Sequence, residues 1–100
     1  ETYIKAKVKV KQEYWDSVIS DISVSGCQLM INNGEKLTLS DDKPVEITIE
    51  DFQELKNLKL EAEICNSKVQ SDGILLGVKF DDSSKLQVVK LLQQAVISPN

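Results

Sequence analysis

The chain opens on a strict two-residue period. Ile4, Ala6, Val8 and Val10 alternate with Lys5, Lys7, Lys9 and Lys11. Successive side chains on a strand point to opposite faces, so this is a strand with one apolar face and one lysine face. Gln12 to Tyr14 reads as a short connection. Trp15 to Ser23 reads as a second strand in which Val18 and Ile22 alternate against Ile19, which leaves Trp15 out of step. The expectation is a tryptophan partly exposed at a rim, or one turned inward by a bulge. Gly26 breaks this run, and Cys27, Leu29 and Ile31 begin a third alternating strand. Asn32-Asn33-Gly34 is a turn signal, and Glu35 to Lys43 reads as a polar loop.

Pro44 opens a fourth strand, with Val45, Ile47 and Ile49 set against Glu46, Thr48 and Glu50. Asp51 to Asn57 is charged and reads as a hairpin connection or one helical turn. Leu58, Leu60, Ala62 and Ile64 then alternate with Lys59, Glu61 and Glu63 in a fifth strand that runs on to Val69. Ser71-Asp72-Gly73 is a hairpin turn. Ile74 to Phe80 is a continuous apolar run, the mark of a strand covered on both faces. Asp82-Ser83-Ser84 then offers a helix N-cap. Leu86, Val89, Leu92, Ala95 and Val96 recur at helical spacing, with Val88 and Leu91 widening the stripe, until Pro99 stops it. The prediction is a six-stranded antiparallel β-barrel capped by a C-terminal α-helix within about Ser83 to Ile97. An immunoglobulin-like sandwich would hold the strands but not the terminal helix.

Composition narrows the function. One hundred residues with 41% hydrophobic content make one domain with a small core. The net charge is -4, which argues against sequence-independent binding of DNA or RNA, because neutralising phosphates drives that binding. No run approaches 18 apolar residues, so no membrane insertion is expected. Cys27 and Cys65 are the two cysteines and histidine is absent. That pairing makes no ordinary structural zinc site; the two could form a disulfide, but both cysteines read as free, small core residues of a cytoplasmic protein. Without histidine the commonest general base and metal ligand is missing, and no P-loop, Gly-x-Ser-x-Gly or Gly-x-Gly-x-x-Gly is present. Asp41-Asp42 and Asp81-Asp82 sit at segment edges and read as caps or solvated charges. The chain is expected to be neither an enzyme nor the holder of a metal or cofactor.

The candidate chemistry lies in Asp21-Ile22-Ser23-Val24-Ser25-Gly26. Asp21 offers two acceptor oxygens, and Ser23 both donates and accepts. Two residues apart on a strand, they share a side. Gly26 permits positive φ and close backbone approach. The plainer reading is an ordinary turn, since Asp, Ser and Gly are turn residues with local hydrogen bonds. Along the first strand, Lys9 and Lys11 read as a solvated face, whereas Lys5 and Lys7 are candidates to meet an anion.

The pattern Asp-x-Ser-x-x-Gly, continued by Cys27-Gln28-Leu29, resembles the second signature of PilZ domains, bacterial receptors for cyclic di-GMP. Gly73-Ile74-Leu75-Leu76-Gly77-Val78-Lys79-Phe80 resembles the family's last barrel strand, which commonly reads Gly-(Val/Ile)-x-Phe near its end, and a helical tail follows in the same order. The resemblance covers about residues 4 to 97. It implies the same barrel-plus-helix architecture, a non-catalytic signalling role, and a ligand site at Asp21, Ser23 and Gly26 with Lys5 and Lys7 beside it. The family's first signature, Arg-x-x-x-Arg, has no counterpart within these residues, because all 12 basic residues are lysine; the pair either lies upstream of Glu1 or is missing. Glu1-Thr2-Tyr3-Ile4-Lys5 stands at the corresponding place. With no initiator Met, residues 1–100 read as a single domain excised from a longer protein. The expected partners are cyclic di-GMP and a partner protein or neighbouring domain. The alternative is a degenerate PilZ domain that serves as an interaction or structural module and leaves the nucleotide unbound.

Overall fold

Apolar alternation builds six strands within the described residues: β1 (Ile4–Val10), β2 (Glu13–Ile22), β3 (Gly26–Asn32), β4 (Pro44–Phe52), β5 (Leu55–Gln70) and β6 (Gly73–Phe80). A 3₁₀ turn, Asp82–Ser84, leads into helix α1 (Lys85–Ile97). A computed structural model describes residues 3–10, 12–32 and 44–97, with side chains to Gln94. All strand pairings are antiparallel, and they close a barrel in the order β1-β2-β3-β6-β5-β4. The expected architecture is therefore present. The Asn32-Asn33-Gly34 turn, the loop to Lys43, Asp41-Asp42, Lys11 and Pro99 lie wholly or partly outside the described residues.

The interior is filled by side chains of one parity from each strand. Ile4, Ala6, Val8 and Val10 point in from β1, and Cys27, Leu29 and Ile31 from β3. They meet Val45, Ile47 and Ile49 of β4, Leu60, Ala62 and Ile64 of β5, and Ile74, Leu76, Val78 and Phe80 of β6. Each fully buried aliphatic side chain contributes about 1.5–3 kcal/mol of transfer free energy.

The second strand departs from its sequence reading. Its inward residues are the half-buried Trp15 and the buried Ser17 and Ile19, so Val18 faces out. The phase belongs to Ile19, and Trp15 is in step with it without any bulge before it. The Ser17 hydroxyl donates to the Ala6 carbonyl at 3.0 Å, which satisfies the polar group at this inward position. A bulge follows between Ile19 and Asp21, and it returns Ile22 to the core. The strand also starts at Glu13, so the connection from β1 is shorter than expected, with Gln12 at φ 70°. β4 runs on to Phe52 and β5 starts at Leu55, joined by a two-residue turn with Gln53 at φ 55° rather than by a longer connection or helical turn.

Further differences come from packing. A second bulge, between Ile64 and Asn66, shifts the register of β5 against β6. Cys65 directly follows the inward Ile64, so it faces outward and is exposed, and only Cys27 is the buried core thiol that both cysteines were expected to be. Both are free. β6 is covered outside only in part: Leu75 and Gly77 are half-buried and Lys79 is exposed. The helix cap is Asp81, whose carboxylate accepts from the Ser83 backbone N–H at 3.3 Å. The Ser84 hydroxyl accepts the Glu61 N–H at 2.7 Å and ties the turn to β5. The inward stripe of α1 is Val88 and Leu91 with the half-buried Leu92, whereas Leu86 is 73% exposed and Val89 sits at the surface. Helical spacing admits either stripe, and the anchor at Ser84 sets the rotation observed.

Two expected outcomes test these placements. A Cβ at Gly26 would lie 2.2 Å from the Val78 carbonyl oxygen of β6, so Gly26→Ala must push β3 and β6 apart. It should cost about 1–3 kcal/mol, read as a lower midpoint of thermal unfolding. Val24→Ala at the exposed hairpin tip should stay within about 0.5 kcal/mol; equal effects of the two would refute the close approach. In the second test, iodoacetamide on the folded chain should modify Cys65 and spare Cys27. Burial, aided by the neighbouring Asp21 charge, pushes the Cys27 thiol up to about 12 and keeps it protonated and inert. Mass mapping that finds both thiols labelled at similar rates would contradict this burial.

Candidate functional site

The six-residue motif forms the end of β2, a tight turn and the start of β3. Ile22 pairs with Cys27. The Ser23 backbone N–H donates to the Gly26 carbonyl at 2.8 Å, which leaves Val24 and Ser25 at the tip. The Ser23 hydroxyl lies 3.2 Å from the Ser25 hydroxyl and 3.3 Å from the Gly26 carbonyl oxygen. The Ser25 carbonyl accepts the Phe80 N–H at 2.9 Å, which pins the tip to β6. Ser23 thus serves the turn, as the plainer reading of the motif requires.

Gly26 has a structural reason of its own. Its φ is not positive, so left-handed freedom is not what the position needs. The need is space, because the β6 backbone at Val78 occupies the volume a side chain would fill.

Asp21 is the part of the motif left over. The bulge between Ile19 and Asp21 puts Asp21 opposite Gln28 and Ile22 opposite Cys27. Cys27 is buried and Gln28 exposed, so Asp21 stands on the outer face with Gln28. Its side chain is exposed and has no hydrogen-bond partner among the described residues. Without the bulge, the two-residue period from Ile19 would send Asp21 inward. Asp21, Ser23, Ser25, Gly26, Cys27 and Gln28 line a shallow depression of about 250 Å³. Gln28 is the member that sequence reasoning passed over. Its signal was its parity: it sits between two apolar residues of β3 and so must face outward.

Lys5 and Lys7 lie elsewhere. They project from β1 opposite Val18 and Asp16, and they line a separate depression with Asp16, Glu50 and Asp51. The Lys7 ammonium donates to the Asp16 carboxylate at 3.1 Å. That hydrogen bond raises the Lys7 pKa, with the Asp16 and Glu50 charges adding to it. Lys7 therefore faces carboxylates on two sides. Lys9 lies over the Tyr14 ring, 5.6 Å from its centroid. The structure thus brings Asp21, Ser23 and Gly26 together and separates them from Lys5 and Lys7.

Other chemistry is sparse. Among the described residues there is no cluster of three or more His, Cys, Asp or Glu side chains placed to hold a metal ion. No described helix is long and apolar enough to cross a membrane. Asp81, one of the paired carboxylates, is held below its usual range by Ser83, whose hydroxyl and backbone N–H donate to it. This is the chemistry of a cap.

A comparison with curated protein sequences finds no match. A comparison with protein-family models matches the PilZ domain over residues 1–98. The match spans nearly the whole chain, and it agrees with the closed barrel and the terminal helix. The chain belongs to the PilZ domain family, whose domains bind cyclic di-GMP in signalling.

Proposed function

We infer that this domain is a non-catalytic cyclic di-GMP signalling module of a bacterial multidomain protein in the cytoplasm, with Asp21 as the group that reads guanine. The observation that carries this reading is the bulge that turns Asp21 outward beside a rigid turn. The guanine edge presents an N1–H and an N2–H₂, and one carboxylate accepts from both. The turn supplies further polar groups at fixed positions, and ordering them in advance lowers the entropy cost of binding.

The affinity of these 100 residues is limited by the missing guanidinium. O6 and N7 of guanine and the phosphates are best met by a planar fork of donors, which lysine lacks. Two lost bidentate contacts at about 1–3 kcal/mol each weaken binding by roughly thirtyfold to over ten-thousandfold. The absence of arginine from all 100 residues and the engagement of Lys7 by Asp16 favour a second reading. In it the barrel docks a partner protein or neighbouring domain, and the motif only braces the turn.

Isothermal titration of cyclic di-GMP into this chain separates the two. The expected result is weak, saturable binding that Asp21→Ala removes, with thermal stability held within about 0.5 kcal/mol, as for an exposed surface position. Undiminished binding by Asp21→Ala would sink the guanine-edge role. No heat from the parent chain at millimolar ligand would favour the docking module. An Asp21→Ala chain that unfolds would make Asp21 a turn residue.

A further inference from the structure

The outer face of the barrel carries a row of polar groups that begins at Asp21 and crosses three more strands. Asp21 of β2 pairs with Gln28 of β3, Gln28 with Gly77 of β6, and Gly77 with Asn66 of β5. At adjacent-strand spacings the row is about 14 Å across. Every member faces outward. Gln28 lies between the buried Cys27 and Leu29, and Gly77 between the buried Leu76 and Val78. The second bulge, at Ile64/Asn66, puts Asn66 on this face, as the first does for Asp21. A Cβ at Gly77 would meet the Asn66 amide oxygen at 2.6 Å, so that amide lies across the glycine. Asp21, Gln28 and Asn66 are exposed, and none of their side chains has a hydrogen-bond partner among the described residues.

The next outward position on β6 is Lys79. It is exposed and pairs with Gly26 on one side and Glu63 on the other. Its ammonium forms no ion pair with a described residue, although Glu63 is its cross-strand neighbour. Lys79 therefore stands beside the turn that carries Asp21, with no side chain at Gly26 between them. Lys5 and Lys7 lie on the opposite flank of β2, and Lys7 is bound to Asp16.

We propose that the ligand platform runs from the Asp21 turn across β3 and β6 to Asn66, with Lys79 as the cation that meets phosphate and the Gln28 and Asn66 amides as specificity contacts either side of Gly77. The proposal rests on the cyclic di-GMP reading and deepens it. The chemistry of the row matches an anionic guanine nucleotide. A carboxylate accepts from the N1–H and N2–H₂ edge, carboxamides both donate and accept and so serve O6, N7 or ribose hydroxyls, and an ammonium serves as a point charge for phosphate. Gly77 has no Cβ, and the Asn66 amide occupies the space above it, so a flat ring on this part of the sheet would meet that amide. Glu63 opposes phosphate from the far side of Lys79, so its removal should help binding.

The test is an amide-proton NMR titration of the ¹⁵N-labelled full chain with cyclic di-GMP, repeated for Lys79→Gln, Lys7→Gln and Glu63→Gln. Saturable shifts are expected at Asp21, Ser23, Gln28, Asn66, Gly77 and Lys79. Lys79→Gln should weaken binding about tenfold, Glu63→Gln should tighten it, and Lys7→Gln should stay within about twofold. These magnitudes are those of gaining or losing one charge-assisted contact. Shifts confined to the Asp21 turn and β1, or a larger loss in Lys7→Gln than in Lys79→Gln, would overturn the platform while leaving the cyclic di-GMP reading in place. No saturable shift on this face at millimolar ligand would overturn both. Asn66→Ala tests the amide separately: it should weaken cyclic di-GMP more than inorganic phosphate, and an equal effect on both would remove its specificity role.

Discussion

Closure of the sheet is the constraint on which the rest of this structure depends. A barrel of six strands has room inside for side chains and little else, so each strand must present its apolar parity to the axis while pairing on both sides. Four strands do so with an unbroken alternation. β2 and β5 change phase part way along, and each resolves the conflict with a bulge. A bulge adds one residue to one strand, reverses the parity beyond it and re-aims the side chains around it. Here the re-aimed residues are Asp21 and Asn66, both polar and both on the outer face. At β2 the candidate site is thus a consequence of keeping Ile22 in the core, whereas the core side chains of β5 end at Ile64, before its bulge.

The same logic divides labour within the Asp21–Gly26 motif. Ser23 closes the turn, Gly26 yields space to the β6 backbone, and Ser25 pins the tip to Phe80. These contacts are local and backbone-directed, so they hold whether or not a ligand is present. Asp21 makes no such contribution, and its exposed carboxylate is held by its strand on one side and a pinned turn on the other. Just inside, the buried Cys27 thiol stays neutral beneath that charge.

Electrostatics decides which lysines can serve an anion. β1 carries the densest lysine run, yet its outer face is shared with Asp16, Glu46 and Glu50, and a charge already paired at 3.1 Å must break that contact to meet phosphate. Lys79 is a single residue in an apolar strand, but its neighbours are a glycine and one glutamate that does not reach it. Position in the sheet outweighs local charge density here, because interactions between exposed charges fade within about 8–10 Å. Since lysine is a point charge without a fork, the proposed platform would attract a phosphate more readily than it would fix the orientation of a base.

Much of the fold was legible along the chain. Ile4 to Val10, Val45 to Ile49 and Leu58 to Ile64 alternate cleanly, and period two is a property of one strand alone. Ser71-Asp72-Gly73 marks its hairpin for the same local reason, and Asp-x-Ser-x-x-Gly marked the site. What tertiary structure alone decided were relations between strands. Whether Val18 or Ile19 faces the core depends on pairing with β1 and β3, and Asn66 faces outward because β5 bulges against β6. Leu86 faces solvent because Ser84 anchors the helix to Glu61. The row from Asp21 through Gln28 and Gly77 to Asn66 joins residues as far as 56 positions apart from Asp21 to Gly77. No local period encodes that adjacency, because register across a closed sheet is fixed only when all six strands are in place.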